Sequence, residues 1–185
     1  MKTFAAILTL VALSSAAQYS VSIDKDAGLV YTNTKCGKNY CIDSNFNGLH
    51  TYTAFNGNEH FLRILMSFNF PSGIKNASDI EECVLALPKS MTKSPNTHYY
   101  NLFVRKLDAD FSASNVTARN SPKAGEVINQ TTGDNKNAPP RINITAACKA
   151  AANRKLGLVI DASGTPVTIK SKAGGSDTRL YIRTK

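Results

Sequence analysis

Residues 61–70 read FLRILMSFNF, and this stretch decides the fold. Every second residue from Leu62 to Phe70 is apolar, and the residues between them include Arg63 and Ser67. Successive side chains of a strand point to opposite faces of a sheet, so a period of two predicts a half-buried β-strand.

The rest of the chain repeats this pattern in shorter runs, which Gly, Pro, Asn and Ser separate. We expect strands at Tyr19–Ile23, Leu29–Thr32 and Thr51–Phe55, and in the segments CVLALP, YYNLFVRKL, RINIT, LGLVID, VTIKSK and TRLYIRT. The alanine-rich stretch Thr145–Asn153 is the one helix candidate, and residues 112–140 are predicted to be an irregular surface excursion. The sequence therefore predicts an all-β fold, an antiparallel β-sandwich (jelly roll) with one short helix.

The N-terminus has the pattern of a secretory leader. Residues 1–17 contain one lysine, an apolar run from Phe4 to Leu13 and then small residues, with Ser15 and Ala17 before a cleavage site. The apolar run is too short to span a bilayer, and no other stretch is long and apolar enough. We therefore expect residues 1–17 to be a signal peptide and residues 18–185 to be a single domain of a protein that is extracellular or associated with the cell wall.

Cysteines and sequons agree with secretion. Four N-x-S/T sequons predict glycosylation at Asn76, Asn115, Asn129 and Asn143. An even number of cysteines in an oxidising compartment indicates disulfides, and four allow three connectivities. We expect the pairs Cys36–Cys41 and Cys83–Cys148.

The charge of the chain indicates a class of partner. The formal net charge is +9 with no tryptophan, and loss of Lys2 with the leader lowers it by one. Residues 18–82 hold 5 bases and 7 acids, whereas residues 83–185 hold 16 bases and 6 acids. A basic surface favours polyanions. The leader, the sequons and the lack of a dense basic run with interleaved aromatics argue against nucleic acid.

Candidate ligand-binding residues follow from this distribution. Arginine supplies bidentate contacts to carboxylates, sulfates or phosphates, and an exposed tyrosine supplies a stacking surface for a sugar. If residues 99–107 form a strand, one of the neighbours Tyr99 and Tyr100 must face the core. The candidates are Arg63, Lys89, Tyr99, Arg105, Lys106, Arg154, Lys155, Lys170 and Lys172.

Catalytic motifs are absent from the sequence, and one metal motif is incomplete. No nucleophile-turn pattern occurs, and the acid pairs Asp108/Asp110 and Glu81/Glu82 lie in polar surroundings, so we expect no enzyme activity. The segment DSNFNG offers Asp43, Asn45 and Asn47 as ligands of a structural Ca²⁺. The twelfth loop position is Ala54 rather than a glutamate, so an Asn-rich hairpin turn is the alternative interpretation.

Four segments in order resemble the DNRLRE-type domain, a secreted jelly-roll module grouped with carbohydrate-binding modules. They are FLRILMSFNFPSGIKNASDIEECVLALP, LFVRKLDADFSASNVTARNSP, INITAACKAAANRKLGLVID and VTIKSKAGGSDTRLYIRT. Phe111 and Ala118 stand where the family usually has tryptophans. The resemblance implies a jelly-roll fold and a tendency to bind polysaccharide or to build cell-surface structures, but no named ligand.

These features together predict a secreted, non-catalytic protein that binds an acidic or cell-wall polysaccharide through a basic face. A structural or host-interaction protein with an extracellular protein partner is the alternative. A small polysaccharide-degrading enzyme is a third hypothesis.

Overall fold

The computed structural model describes residues 16–31, 41–42, 48–56, 58–91, 94–117, 119–152, 155–165 and 167–185. Within these residues the chain forms antiparallel strands in two sheets and one short α-helix. The predicted all-β sandwich with one short helix is confirmed.

The elements are numbered along the chain. The strands are β1 Gln18–Ser22, β2 Lys25–Tyr31, β3 Cys41–Ile42, β4 Gly48–Asn56, β5 Asn58–Asn69, β6 Ile80–Ala86, β7 Tyr99–Leu107, β8 Ala124–Asp134, β9 Ile142–Asn143, β10 Lys155–Gly164, β11 Val167–Lys170 and β12 Arg179–Thr184. Helix α1 spans Thr145–Ala150, and a 3-10 turn over Ala77–Asp79 precedes β6.

Two sheets form the sandwich. The smaller sheet has the strand order β1-β12-β6-β9, and the larger sheet has the order β11-β4-β5-β10-β7-β8. Strand β2 also pairs with β5, and β3 pairs with β2. The main core lies between the sheets, where Ile64 and Phe68 of β5 are buried with Leu85 of β6 and Leu180 of β12.

Strand β5 is buried on both sides over residues 64–68, which corrects the half-buried strand that the sequence predicts. Leu65 and Ser67 point away from the main core, yet they are 1% and 0% exposed. The reason is a second apolar cluster, in which Phe111 and Val116 from the segment after β7 pack with Leu65. Burying a side chain of this kind contributes roughly 1.5–3 kcal/mol.

Strand β8 is a second correction, because residues 112–140 were predicted to be irregular. Strand β8 pairs with β7 along residues 124–134, with shifts of register near Arg105. No other strand is hydrogen-bonded to β8 within the described residues, so it is an edge strand. Its residues are exposed or half-buried without alternation, and the alternation that marks a strand in sequence is therefore missing.

Helix α1 is fixed to the smaller sheet. It ends at Ala150, short of the predicted Asn153, which lies outside the described residues. Cys148 on the helix forms a disulfide with Cys83 on β6, with a Cα–Cα distance of 6.3 Å. This predicted pair is confirmed. Among the described residues, no helix has the length and apolar composition required to cross a bilayer.

Candidate functional site

Strand β7 separates its side chains between the core and the outer face of the larger sheet. Tyr100, Leu102 and Val104 are at most 2% exposed and lie in the main core. The alternate side chains therefore lie on the outer face, where Tyr99 is 68% exposed. The tyrosine pair divides as the sequence predicts, with one ring in the core and one in solvent.

The outer face carries polar groups beside its aromatic rings. Phe103 is in register with Asp161 of β10 and with Gln130 of β8. Thr132 is in register with Asn101, and its hydroxyl donates to Asn101 Oδ1 over 2.9 Å. A strand rises roughly 3.4 Å per residue, so Tyr99 and Phe103 lie roughly 14 Å apart along β7.

An arginine–aspartate–arginine cluster lies on this face at the level of Phe103 and Arg105, at the opposite end of β7 from Tyr99. Asp161 accepts from Arg63 Nε at 2.9 Å and from Arg105 Nε at 3.2 Å, and its side chain is 13% exposed. The two arginine side chains are 36% and 32% exposed. Arg105 also donates from Nη1 to the Gly125 carbonyl at 3.2 Å. One carboxylate thus orients two guanidinium groups, and the three side chains together carry a formal charge of +1.

We call this surface the Tyr99 face. Its members share the outer side of β5, β10, β7 and β8, and they are Arg63, Tyr99, Asn101, Phe103, Arg105, Gln130, Thr132 and Asp161.

Other predicted basic residues lie among acids, away from the Tyr99 face. Lys155 Nζ lies 3.5 Å from Asp24 and 3.9 Å from Asp110. Lys172 donates its backbone N–H to Asp26 over 2.5 Å, and its ammonium donates to the Asp24 carbonyl. Burial raises the pKa of the Asp26 carboxyl, although these contacts from Lys172 lower it in part. Lys155 therefore lies between two carboxylates, and Lys172 contacts the segment that holds Asp24 and Asp26.

A cavity of about 330 Å³ adjoins this region and is lined by Lys106 and Lys155 together with Asp108 and Asp110. A hydrogen bond from Lys25, at 2.7 Å, lowers the pKa of Asp110. Acidic and basic groups are mixed here, so the cavity does not present the basic surface that the sequence predicts.

The remaining candidates are scattered. Lys89 lines a cleft of about 640 Å³ with Ser94, Asn135 and Lys136. Asp134 is the last residue of β8 and directly precedes Asn135 of this cleft, and a hydrogen bond from the Asn137 side chain lowers the pKa of Asp134. Lys170 is exposed at the end of β11, and Arg154 lies outside the described residues. Of the nine predicted binding residues, the structure brings together Arg63 and Arg105 through Asp161, and it places Tyr99 on the same sheet face.

The predicted metal residues Asp43, Asn45 and Asn47 lie outside the described residues, as does Cys36. In the part of the chain that is described, no three His, Cys, Asp or Glu side chains are grouped to hold a metal ion. The calcium hypothesis and the Cys36–Cys41 pair stay predictions.

Several residues of the Tyr99 face were not identified from the sequence. Asp161 ends the apolar run LGLVID, and its position gave no indication that it lies between Arg63 and Arg105. Asn101 and Phe103 could have been found, because they alternate with core residues in YYNLFVRKL once Tyr99 is placed outside. Gln130 and Thr132 required knowledge that residues 124–134 form a strand.

Comparison with known proteins gives one distant relative to report. The chain is 26% identical over 150 residues to an "uncharacterized secreted protein" of Arthroderma benhamiae, covering 79% of this chain and 73% of that protein. The similarity agrees with the predicted secretory leader, which itself stays a prediction. No protein-family model matches the chain, and the resemblance to the DNRLRE-type domain stays a prediction.

Proposed function

We propose that the chain is a secreted, non-catalytic carbohydrate-binding protein, and that its ligand is an acidic polysaccharide lying along the Tyr99 face. The observation that carries the proposal is the combination of an exposed aromatic ring with a net-positive Arg63–Asp161–Arg105 cluster on one sheet face.

The chemistry of the face suits a sugar polymer. The apolar side of a sugar ring packs on an aromatic ring, and its hydroxyls need hydrogen-bond donors and acceptors at the edge. Tyr99 and Phe103 supply two rings on one strand, and Asn101 and Gln130 supply amides beside them. Polymers extend beyond one sugar, which fits a face that spans roughly 20 Å along β7, from Tyr99 to Arg105.

The cluster favours an anionic polymer over a neutral one. Asp161 holds Arg63 and Arg105 by charge-assisted hydrogen bonds, so their donors are oriented before any ligand arrives. A guanidinium matches a carboxylate in geometry, which makes a uronate the best fit.

The same structure offers little for hydrolysis. Glu81 and Glu82 each contact Arg183, at 3.3 Å and 3.5 Å. Asp110 binds Lys25 at 2.7 Å. Glycoside hydrolysis requires one carboxyl that keeps its proton opposite a second carboxyl. The hydrogen bond from Lys25 lowers the pKa of Asp110 and so favours the charged form of this carboxyl, which supports a binding role.

Secretion is supported independently of the ligand. The leader over residues 1–17, the Cys83–Cys148 disulfide and the similarity to a secreted protein all point to an oxidising, extracellular compartment.

The test is binding of the secreted protein to a panel of soluble glycans that includes a polyuronate and a neutral glucan at low salt. We expect the polyuronate to bind, and Tyr99→Ala to weaken binding roughly fivefold or more, as loss of an aromatic anchor does. Tyr181→Ala, which removes an exposed tyrosine on the smaller sheet, is the matched control and should bind like the unmodified protein.

Absence of binding to every glycan in the panel would overturn the proposal. Capture of a protein and no glycan from an extracellular extract would favour the alternative of a protein-binding module. Release of new reducing ends from a polymer would show an enzyme instead.

A further inference from the structure

The outer face of the smaller sheet carries a row of side chains that the proposed function does not use. Ser20 of β1 is in register with Tyr181 of β12, Tyr181 with Val84 of β6, and Val84 with Asn143 of β9. Leu180 and Ile182 are buried in the core, so Tyr181 points outward, where it is 36% exposed.

Arginine adds hydrogen-bond donors to this row. The Arg141 guanidinium stacks on the Tyr181 ring, 4.7 Å from its centroid. Arg179, two residues before Tyr181, donates to the carbonyls of Ser176 and Thr178 at 3.1 Å and 3.0 Å. We call this surface the Tyr181 face, and its members are Ser20, Val84, Arg141, Asn143, Arg179 and Tyr181.

Asn143 is both part of this face and the acceptor residue of a sequon. Its Oδ1 accepts the backbone N–H of Thr145 over 3.0 Å, and the residue is exposed. Its Nδ2, the atom that would carry a sugar, makes no hydrogen bond within the described residues.

The neighbouring sequon is arranged in the opposite way. Asn129 Nδ2 donates to the Asn143 carbonyl over 2.9 Å, and so links β8 to β9. A sugar on that nitrogen would have to fit against β9, whereas a sugar on Asn143 meets open surface.

We propose that Asn143 carries an N-linked glycan whose first sugars pack on the Tyr181 face. Adjacent strands lie roughly 4.8 Å apart, so Asn143 and Tyr181, separated by one strand, are roughly 10 Å apart, within reach of the first sugars of a chain. The Tyr181 ring supplies the stacking surface, and Arg141 supplies donors for sugar oxygens. The inference rests on the secretion part of the proposed function and not on its ligand. The glycan would cover the smaller sheet and leave the Tyr99 face free.

The first measurement is site occupancy. Full-length protein is secreted from a glycosylating eukaryotic host, treated with peptide-N-glycosidase in heavy-oxygen water, and mapped by mass spectrometry. We expect Asn143 to be occupied. An unmodified Asn143 in the secreted protein overturns the proposal, whatever the result at the other sequons.

The second measurement tests packing in a background where Asn143 is the remaining sequon. Ser78→Ala, Asn115→Gln and Thr131→Ala remove the other three sequons, and Thr131→Ala leaves the Asn129 side chain in place. Thermal unfolding is compared for Tyr181→Ala in glycosylated protein and in protein secreted into a bacterial periplasm. We expect Tyr181→Ala to lower Tm by roughly 2–4 °C more in the glycosylated form.

Tyr99→Ala in the same background is the matched control, because it removes an exposed tyrosine far from Asn143 and should change Tm equally in both forms. An equal effect of Tyr181→Ala in both forms would contradict the packing. Neither the occupancy measurement nor the thermal unfolding depends on glycan binding by the Tyr99 face, so failure of this inference is distinguishable from failure of the proposed function.

Discussion

A methyl group on Gly133 would lie 2.6 Å from atoms of the Tyr100 side chain, closer than real Cβ contacts come. The two residues are in register between β8 and β7, and Tyr100 is 2% exposed. The ring can therefore occupy its place in the core only because residue 133 has no side chain. This constraint arises from contact and not from backbone conformation.

We expect Gly133→Ala to lower the free energy of unfolding by about 1–3 kcal/mol, because the buried ring must shift to make room. Urea unfolding measures the loss. The double variant Gly133→Ala, Tyr100→Leu is the control, since the smaller side chain removes the clash. If Gly133→Ala lowers the free energy of unfolding as much in the Tyr100→Leu background as it does beside the native tyrosine, the contact with the Tyr100 ring is not the cause of the loss.

Asp26 gives a prediction for pH. Burial raises its pKa above the ordinary value of 3.8, so the folded protein holds this proton to a higher pH than the unfolded chain. The contribution of Asp26 to stability is therefore full below pH 3.8 and is lost as pH rises through the folded pKa. An asparagine keeps an oxygen that accepts the Lys172 N–H and carries no charge.

Asp26→Asn should accordingly gain stability relative to the unmodified protein as pH rises from about 3.5 to about 6. Urea unfolding at several pH values measures the difference. Asp134→Asn provides a control of opposite sign, because hydrogen bonds lower the pKa of Asp134 and its contribution is lost as pH falls. A difference between Asp26→Asn and the unmodified protein that does not change with pH would rule out this account.

At the scale of elements, the sequence predicts best those strands that have one face in the core. The stretch YYNLFVRKL forms β7 over its full length, and from Tyr99 to Arg105 its buried side chains alternate with exposed or half-buried ones. Strand β8 was missed because neither of its faces is fully covered, and its polar residues resemble those of a loop. The second apolar cluster was missed for another reason: the packing of Phe111 and Val116 with Leu65 of β5 is a tertiary contact without a local pattern.

The disulfide is the element-scale feature with the largest expected effect on stability. It joins β6 to α1 across a sequence separation of 65 residues. For a loop of this size the chain-entropy model gives about 4 kcal/mol, because the bond restricts the unfolded chain. We expect Cys83→Ala, Cys148→Ala to lower the free energy of unfolding by about 2–5 kcal/mol.

Denaturant unfolding of the double variant and the unmodified protein measures this loss, provided that the free energy of unfolding has the same slope against denaturant concentration in both. Reduction of the unmodified protein is the companion experiment, and it should lower stability more than reduction of the double variant, which keeps Cys36 and Cys41. A double variant that is as stable as the oxidised protein would show that the bond contributes nothing to folding.

For the whole molecule, the positive charge predicted a class of partner but not the location of the site. Residues 83–185 contain an excess of basic residues. In the structure these residues do not form one surface, because they lie in separate places: the cleft at Lys89, the end of β11 at Lys170 and the cavity at Lys106. Arg63 and Arg105 lie together because β10 stands between β5 and β7. Strand order of this kind depends on pairings between distant segments, which residue patterns do not reveal.

Diffuse charge and the Tyr99 face should therefore contribute to polyuronate binding in separable ways. Lys89 and Lys170 are exposed and lie outside the face, so their attraction acts through solvent and is screened within about 10 Å at 0.1 M salt. We expect the double variant Lys89→Ala, Lys170→Ala to bind a fewfold more weakly at low salt and to bind like the unmodified protein at about 0.5 M salt.

Tyr99→Ala acts through ring contact, so its loss of affinity, roughly fivefold or more, should persist at both salt concentrations. Titration of each variant with polyuronate at the two salt concentrations separates the contribution of the exposed lysines from that of the Tyr99 ring. If Tyr99→Ala binds as tightly as the unmodified protein at both salt concentrations, net charge alone accounts for binding, and the Tyr99 face is not the site.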